Sequence, residues 1–140
     1  MKRFLLLLLI ATTLPSFTLP PTAPFNIVGK WKATEDGIAI ILDFDKDGYA
    51  IMQKGKDVMG GKEFDVKGFK GSMTYKVDYT KEPDELDIVI TNISTGERKV
   101  LKGIFKVMGD NQMKVLIGYD SVRPTNFDTP DAMIFTRVTK

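Results

Sequence analysis

From residue 26 onward the chain alternates apolar and polar residues with a period of two, and this constrains the fold more than any other feature. Ile38, Ile40, Leu42 and Phe44 fall on one side of an extended segment. Met73, Tyr75, Val77 and Tyr79 alternate with Thr74, Lys76, Asp78 and Thr80, and Leu86, Ile88 and Ile90 alternate with Asp87, Val89 and Thr91. Successive side chains of a strand point to opposite faces, so each segment has one apolar face to bury. Further strand-like runs are Ile27 to Thr34, Gly48 to Lys54, Glu63 to Gly68, Val100 to Met108, Gln112 to Tyr119 and Ala132 to Thr139. No helical stripe is present beyond residue 26.

Turn chemistry separates these runs: Glu35-Asp36-Gly37, Asp45-Lys46-Asp47-Gly48, Gly68 to Gly71, Glu82-Pro83-Asp84, Ser94 to Glu97 and Gly109-Asp110-Asn111. Only two links read as long, Lys54 to Lys62 and Asp120 to Asp131. About eight to ten short antiparallel strands joined by hairpins bury their apolar faces most simply by closing into an up-and-down barrel, which also removes exposed edges. The expected fold is therefore all-β, a single antiparallel barrel over residues 25–140. Greek-key sandwiches need longer crossovers than this chain offers.

Composition narrows the chemistry. The 140 residues include no Cys and no His, which excludes disulfides, thiol nucleophiles, Cys/His zinc sites and Ser-His-Asp triads. No cofactor motif is present, and the chain reads as a non-enzyme. Residues 1–24 read as a signal peptide and Pro-rich spacer: Lys2 and Arg3 precede an apolar run from Phe4 to Leu14, long enough for a signal and too short for a membrane span. The implied location is secreted or periplasmic, without stable membrane insertion after signal removal. Without Lys2 and Arg3, 18 basic residues face 18 acidic ones, interleaved and lacking a basic stripe, so nucleic acid is not expected as a partner. The pattern leaves the oligomeric state open.

Several blocks in succession resemble a known family. Val28-Gly29-Lys30-Trp31-Lys32 is similar to the G-x-W opening of lipocalins and their calycin relatives. It is followed by Gly71 to Val89 with its Pro83-Asp84-Glu85-Leu86-Asp87 block, by Lys102-Gly103-Ile104-Phe105 with Gly109-Asp110-Asn111-Gln112-Met113, by Arg123-Pro124-Thr125-Asn126-Phe127, and by Arg137-Val138. This order resembles small, uncharacterised bacterial lipocalin-like domains and covers Ile27 to Val138. The looser Asn111-Gln112-Met113 and the absence of a Cys near Val115 to Ile117 depart from it. The resemblance implies a lipocalin-like barrel and little chemistry, with Gly29, Trp31 and Arg137 as its structural signature.

The candidate site residues follow from strand parity. If Met133 and Phe135 point inward, so does Arg137, and a closed meander sets its last strand beside its first, where Trp31 lies. A guanidinium stacked on the indole seals the barrel floor through cation–π attraction. The alternative is that Arg137 clamps a ligand carboxylate, since Phe135-Thr136-Arg137-Val138 is similar to the closing strand of intracellular fatty-acid-binding barrels. Thr139 stands where those barrels have a Tyr, and Thr34 to Gly37 leaves no room for their helical lid.

Arg123 is expected to anchor its loop or to meet a ligand at the mouth. The inward set is expected to comprise Trp31, Phe44, Tyr49, Tyr75, Tyr79, Phe105, Tyr119 and Phe135, from which Arg137, Arg123, Tyr75, Tyr119 and Phe105 are the ligand-binding candidates. Asp43, Asp45, Asp47 and Gly48 imitate half a calcium loop, but Lys54 occupies the position that requires Glu. The carboxylates Glu82, Asp84, Glu85 and Asp87 surround a turn and alternate outward. The resulting expectation is a barrel that binds a small apolar or amphipathic molecule. A solidly packed interaction module is the alternative, and a carboxylate-dependent enzyme is the third reading.

Overall fold

The computed structural model describes residues 24–139 and contains ten strands: β1 (Gly29–Glu35), β2 (Ile38–Phe44), β3 (Ala50–Lys54), β4 (Asp57–Gly60), β5 (Phe64–Val66), β6 (Phe69–Asp78), β7 (Asp84–Asn92), β8 (Arg98–Gly109), β9 (Gln112–Ile117) and β10 (Met133–Arg137). All belong to one antiparallel sheet in the order β4-β3-β2-β1-β10-β9-β8-β7-β6-β5. Every strand pairing but one joins sequence neighbours. In the exception β1 meets β10, with Trp31 opposite Arg137 and Lys32 opposite Thr136. The chain is thus an up-and-down meander curled into a nearly closed barrel. The expected signal segment lies outside the described residues.

The remaining seam lies between β4 and β5 and is closed by scattered bonds instead of a full ladder. Met73 donates its amide to Gly61 O at 2.9 Å and Tyr75 to Gly48 O at 3.0 Å, and Tyr49 bridges to Thr74. Both edge strands are short, and Lys70 on the neighbouring β6 pairs with Glu63 and Asp65, so the incomplete edge is charged rather than sticky.

Nine of these strands coincide with the alternating runs. The tenth, β4, occupies what reads in the sequence as a long link from Lys54 to Lys62. Gly55 and Lys56 form a two-residue turn that sets Asp57 opposite Lys54, and β4 is too short and too exposed to show an alternation of its own. The other long link, 120–131, has no regular structure.

Inward positions make the core. Trp31, Leu42, Phe44, Met73, Leu86, Ile88, Phe105, Met113 and Phe135 are all essentially inaccessible to water. Two further buried residues, Ile104 and Leu116, occupy the opposite parity from Phe105 and Val115 and sit outside the main cluster. They face outward and are shielded by the 118–131 segment. Gly118 fits beneath that segment only because it lacks a Cβ, which would fall 1.9 Å from Val122 O. Strand β9 therefore stops at Ile117, and Asp120 and Ser121 turn the chain away at φ of 53° and 61°.

Trp31 joins β1, β2 and β10 in one packed layer, and its indole N–H donates to Ile27 O at 2.8 Å. Truncating Trp31 to Ala should cost about 3–5 kcal/mol of unfolding free energy, the usual range for deleting a buried Trp. Urea denaturation at equilibrium measures this. A loss under about 1 kcal/mol would contradict its role in the floor.

Candidate functional site

The barrel interior divides into two unlike halves. At the floor, where β1 begins and β10 ends, the Arg137 guanidinium lies 4.2 Å from the Trp31 ring centroid. Opposed residues of an antiparallel pair share a face, so the register alone brings these two side chains together. Arg137 Nη1 donates to Val28 O at 2.7 Å, and Nη2 donates to Asn26 O at 2.7 Å and to Asp110 O at 3.4 Å. A Cβ on Gly29 would approach Arg137 Nη1 to 2.8 Å, and Gly29 has φ of +132°. Glycine at 29 leaves room for the guanidinium that covers Trp31. The three residues of the G-x-W and late-Arg signature are one packed unit.

Rings fill the rest of this half. Phe25 packs on Trp31 (5.7 Å between centroids), Phe105 (6.3 Å) and Tyr79 (6.4 Å), and Tyr79 meets Phe105 edge-on at 5.8 Å. Phe44 and Tyr75 lie 4.8 Å apart, and the Tyr75 hydroxyl donates to Asp45 O at 2.7 Å. Burial, with Asp45 and Tyr79 nearby, raises the Tyr75 pKa above its ordinary value. That phenol is a neutral structural donor.

The opposite half is hollow. A cavity of about 530 Å³ opens at the end where β1 and β9 finish and β10 starts. Its wall is aliphatic, with Ile40, Leu42, Met52, Leu101, Val115 and Met133 around it and Phe135 toward the floor. Its rim carries Glu35, Gln53, Lys54, Asp57, Tyr119 and Asp131. This volume lies within the roughly 300–1,000 Å³ of small-molecule sites, and an apolar wall with a few polar groups is their usual lining. A depression of about 650 Å³ lies outside the barrel beside Lys106, Lys114 and Phe127, with a mixed polar lining.

Of the ligand-binding candidates, the cavity takes in Tyr119 alone, at its rim and 74% exposed, since it lies beyond the end of β9. Phe105 and Tyr75 belong to the aromatic floor, and Arg137 covers it. Tyr79 is half exposed, a consequence of its place past the end of β6. Tyr49 is partly buried under the Lys62 ammonium, 5.6 Å from its ring.

Arg123 lies on the outer wall. It donates to Gly103 O at 2.7 Å and pairs with Asp87 at 2.8 Å and Glu85 at 3.4 Å, the two outward carboxylates of β7. It clamps the 118–131 segment across β7 and β8, and this is what keeps Ile104 and Leu116 dry. The ligand-binding candidates read from the sequence leave out the residues that do line the void, chiefly Met52, Leu101, Ile117 and Met133, of which Met133 reads as inward. Their signal was inward parity at the strand ends remote from Trp31.

The acidic groups divide by environment. Asp45 Oδ1 accepts from the Asp47 and Tyr49 amides at 2.9 Å each, so the Asp-x-Asp-x-Asp segment serves a hairpin. Among the described residues no group of three or more Asp or Glu is placed to hold a metal ion. Hydrogen bonds from the Thr80 hydroxyl and amide lower the Asp78 pKa. Partial burial, then Glu82 and Asp78, raise that of Asp84, which faces the outer depression and not the cavity.

Comparison of the chain with protein-family models, with curated proteins and with solved structures finds no match.

Two outcomes test this geometry. Arg137→Ala removes two short charge-assisted bonds and the ring contact and should lower stability by about 2–3 kcal/mol in urea denaturation. Arg137→Lys should recover less than half of that loss, because an ammonium reproduces neither the fork nor the stack. For Asp84, the raised folded pKa means that the folded state binds the proton more readily, so ionisation there opposes folding above the ordinary carboxylate range. Asp84→Asn should raise Tm at neutral pH. The gain should vanish in acid, once the wild-type carboxyl is protonated in both states, as scanning calorimetry across pH would show.

Proposed function

We propose that this chain is a small calycin-like carrier that binds one apolar or amphipathic molecule in the mouth-side cavity and performs no catalysis. The observation that carries the reading is the division of the interior: aromatic rings pack one half solid, while a void of about 530 Å³ with an aliphatic wall occupies the other. A chain selected only for stability gains by filling such a space, because unfilled volume in a core forfeits dispersion contacts. The signature Gly29, Trp31 and Arg137 supports the lipocalin-like reading as a packed unit.

The placement of Arg137 favours the seal over a carboxylate clamp. Its Nη1 and Nη2 groups bond Val28 O, Asn26 O and Asp110 O, at the end away from the cavity. The carboxylate pair that Arg123 engages lies on the outer wall and has no access to the void. Within this proposal the N-terminal apolar segment directs the protein to the periplasm or medium, and the carrier meets neither nucleic acid nor a metal cofactor as part of its role. An interaction module with a filled lumen is the competing reading, and the open cavity weighs against it.

Native mass spectrometry of the purified protein should reveal a co-purifying lipid or metabolite at one copy per chain. Met133→Trp places a large ring in the void. It should abolish that adduct while leaving the fold intact by circular dichroism, and an adduct of unchanged stoichiometry would place binding elsewhere.

A further inference from the structure

We infer that the molecule bound in the cavity carries a positively charged head, held at the rim by Asp57, Asp131 and the Tyr119 ring. This rests on the proposed carrier reading and adds the polarity of the ligand to it.

The rim has paired its cation and left two of its carboxylates unpaired. Among the described residues Lys54 is the only basic one lining the cavity, and its ammonium is bound to Glu35 Oε2 at 2.8 Å. The hydrogen bond and opposite charge of Glu35 raise the Lys54 pKa above its ordinary value. The Gln53 amide donates to Gly55 O at 2.9 Å, and the Gly118 amide donates to Lys102 O at 2.8 Å. An anionic head would find no uncommitted cation at the rim. Asp57 and Asp131 have no ion-pair partner among the described residues. With the Lys54–Glu35 pair cancelled, the lining is left with two negative charges.

Tyr119 adds an independent feature of the same sign. Its ring stands exposed on the rim that also carries Asp57 and Asp131, and an aromatic face attracts an ammonium or quaternary ammonium group. The wall below is aliphatic, so the complementary ligand is an amphiphile: a hydrocarbon body in the void and a cationic head at the surface. Lys56, Arg98 and Lys99 belong to neighbouring turns and strand ends but do not line the cavity.

The test is calorimetric titration of the purified protein with three single-chain probes below their micelle concentrations: dodecyltrimethylammonium, dodecanoate and a nonionic dodecyl ether. Dodecyltrimethylammonium should bind about tenfold more tightly than dodecanoate at low salt, the gap shrinking as salt screens the exposed carboxylates. In the Asp57→Asn, Asp131→Asn double variant the gap should close while the nonionic ether binds as before. Both positions are exposed, so thermal stability should not change. Dodecanoate binding as tightly as the ammonium, or a preference that survives in the double variant, would overturn the cationic-head assignment and leave the carrier reading standing. Absence of binding by all three probes would overturn the carrier reading, and this inference with it.

Discussion

Pairing of the first strand with the last is the constraint on which everything else in this molecule depends. A ten-strand meander that failed to join β1 to β10 would leave those two strands as open edges in the middle of the sheet order and expose an apolar face to water. The register at this seam sets Trp31 opposite Arg137, and the side chains supply what the short ladder lacks. The guanidinium covers the indole and binds backbone carbonyls on both sides of the seam, at Asn26 and Val28 on one and Asp110 on the other. A planar, permanently charged fork suits this task, since it stacks and donates several bonds at once. Gly29 completes the unit by leaving space where a methyl group would collide.

Closing one end this tightly frees the other. Aromatic residues gather around Trp31 and fill the floor, whereas the inward positions toward the mouth are Met, Leu, Ile and Val. Flexible aliphatic side chains line a void without bridging it, and methionines such as Met52 and Met133 adapt to different contents. The barrel is thus stabilised at one pole and open to use at the other, which is the basis of the proposed carrier role. The proposed ligand polarity follows from the rim, where the one lysine is already neutralised and two carboxylates are not.

The 118–131 segment is a second, smaller solution to the same problem of buried surface. Ile104 and Leu116 break the polar parity of the outer wall, and an irregular loop packs over them, held by Arg123 through Glu85 and Asp87. An arginine in a long loop invites a functional reading. Here its charge serves to pin the loop, because the two outward carboxylates of β7 are presented directly beneath it.

Fold class, nine of the ten strands and the Trp31–Arg137 pairing were legible from local pattern, because alternation and turn chemistry act within a few residues and a meander needs little else. The strand β4 was not, since Asp57 to Gly60 carries no alternation and takes its conformation from pairing with β3. The cavity was not legible either: Phe105, Tyr75 and Leu101 all point inward, and parity cannot say whether an inward side chain meets another or leaves a gap. Tyr119 read as inward and ended on the rim because it lies beyond the end of β9, where the parity of the sheet no longer holds. Periodicity along one strand decides which face is buried; how completely that face is filled depends on side-chain volumes contributed by strands far apart in the chain, and only the closed barrel brings those together.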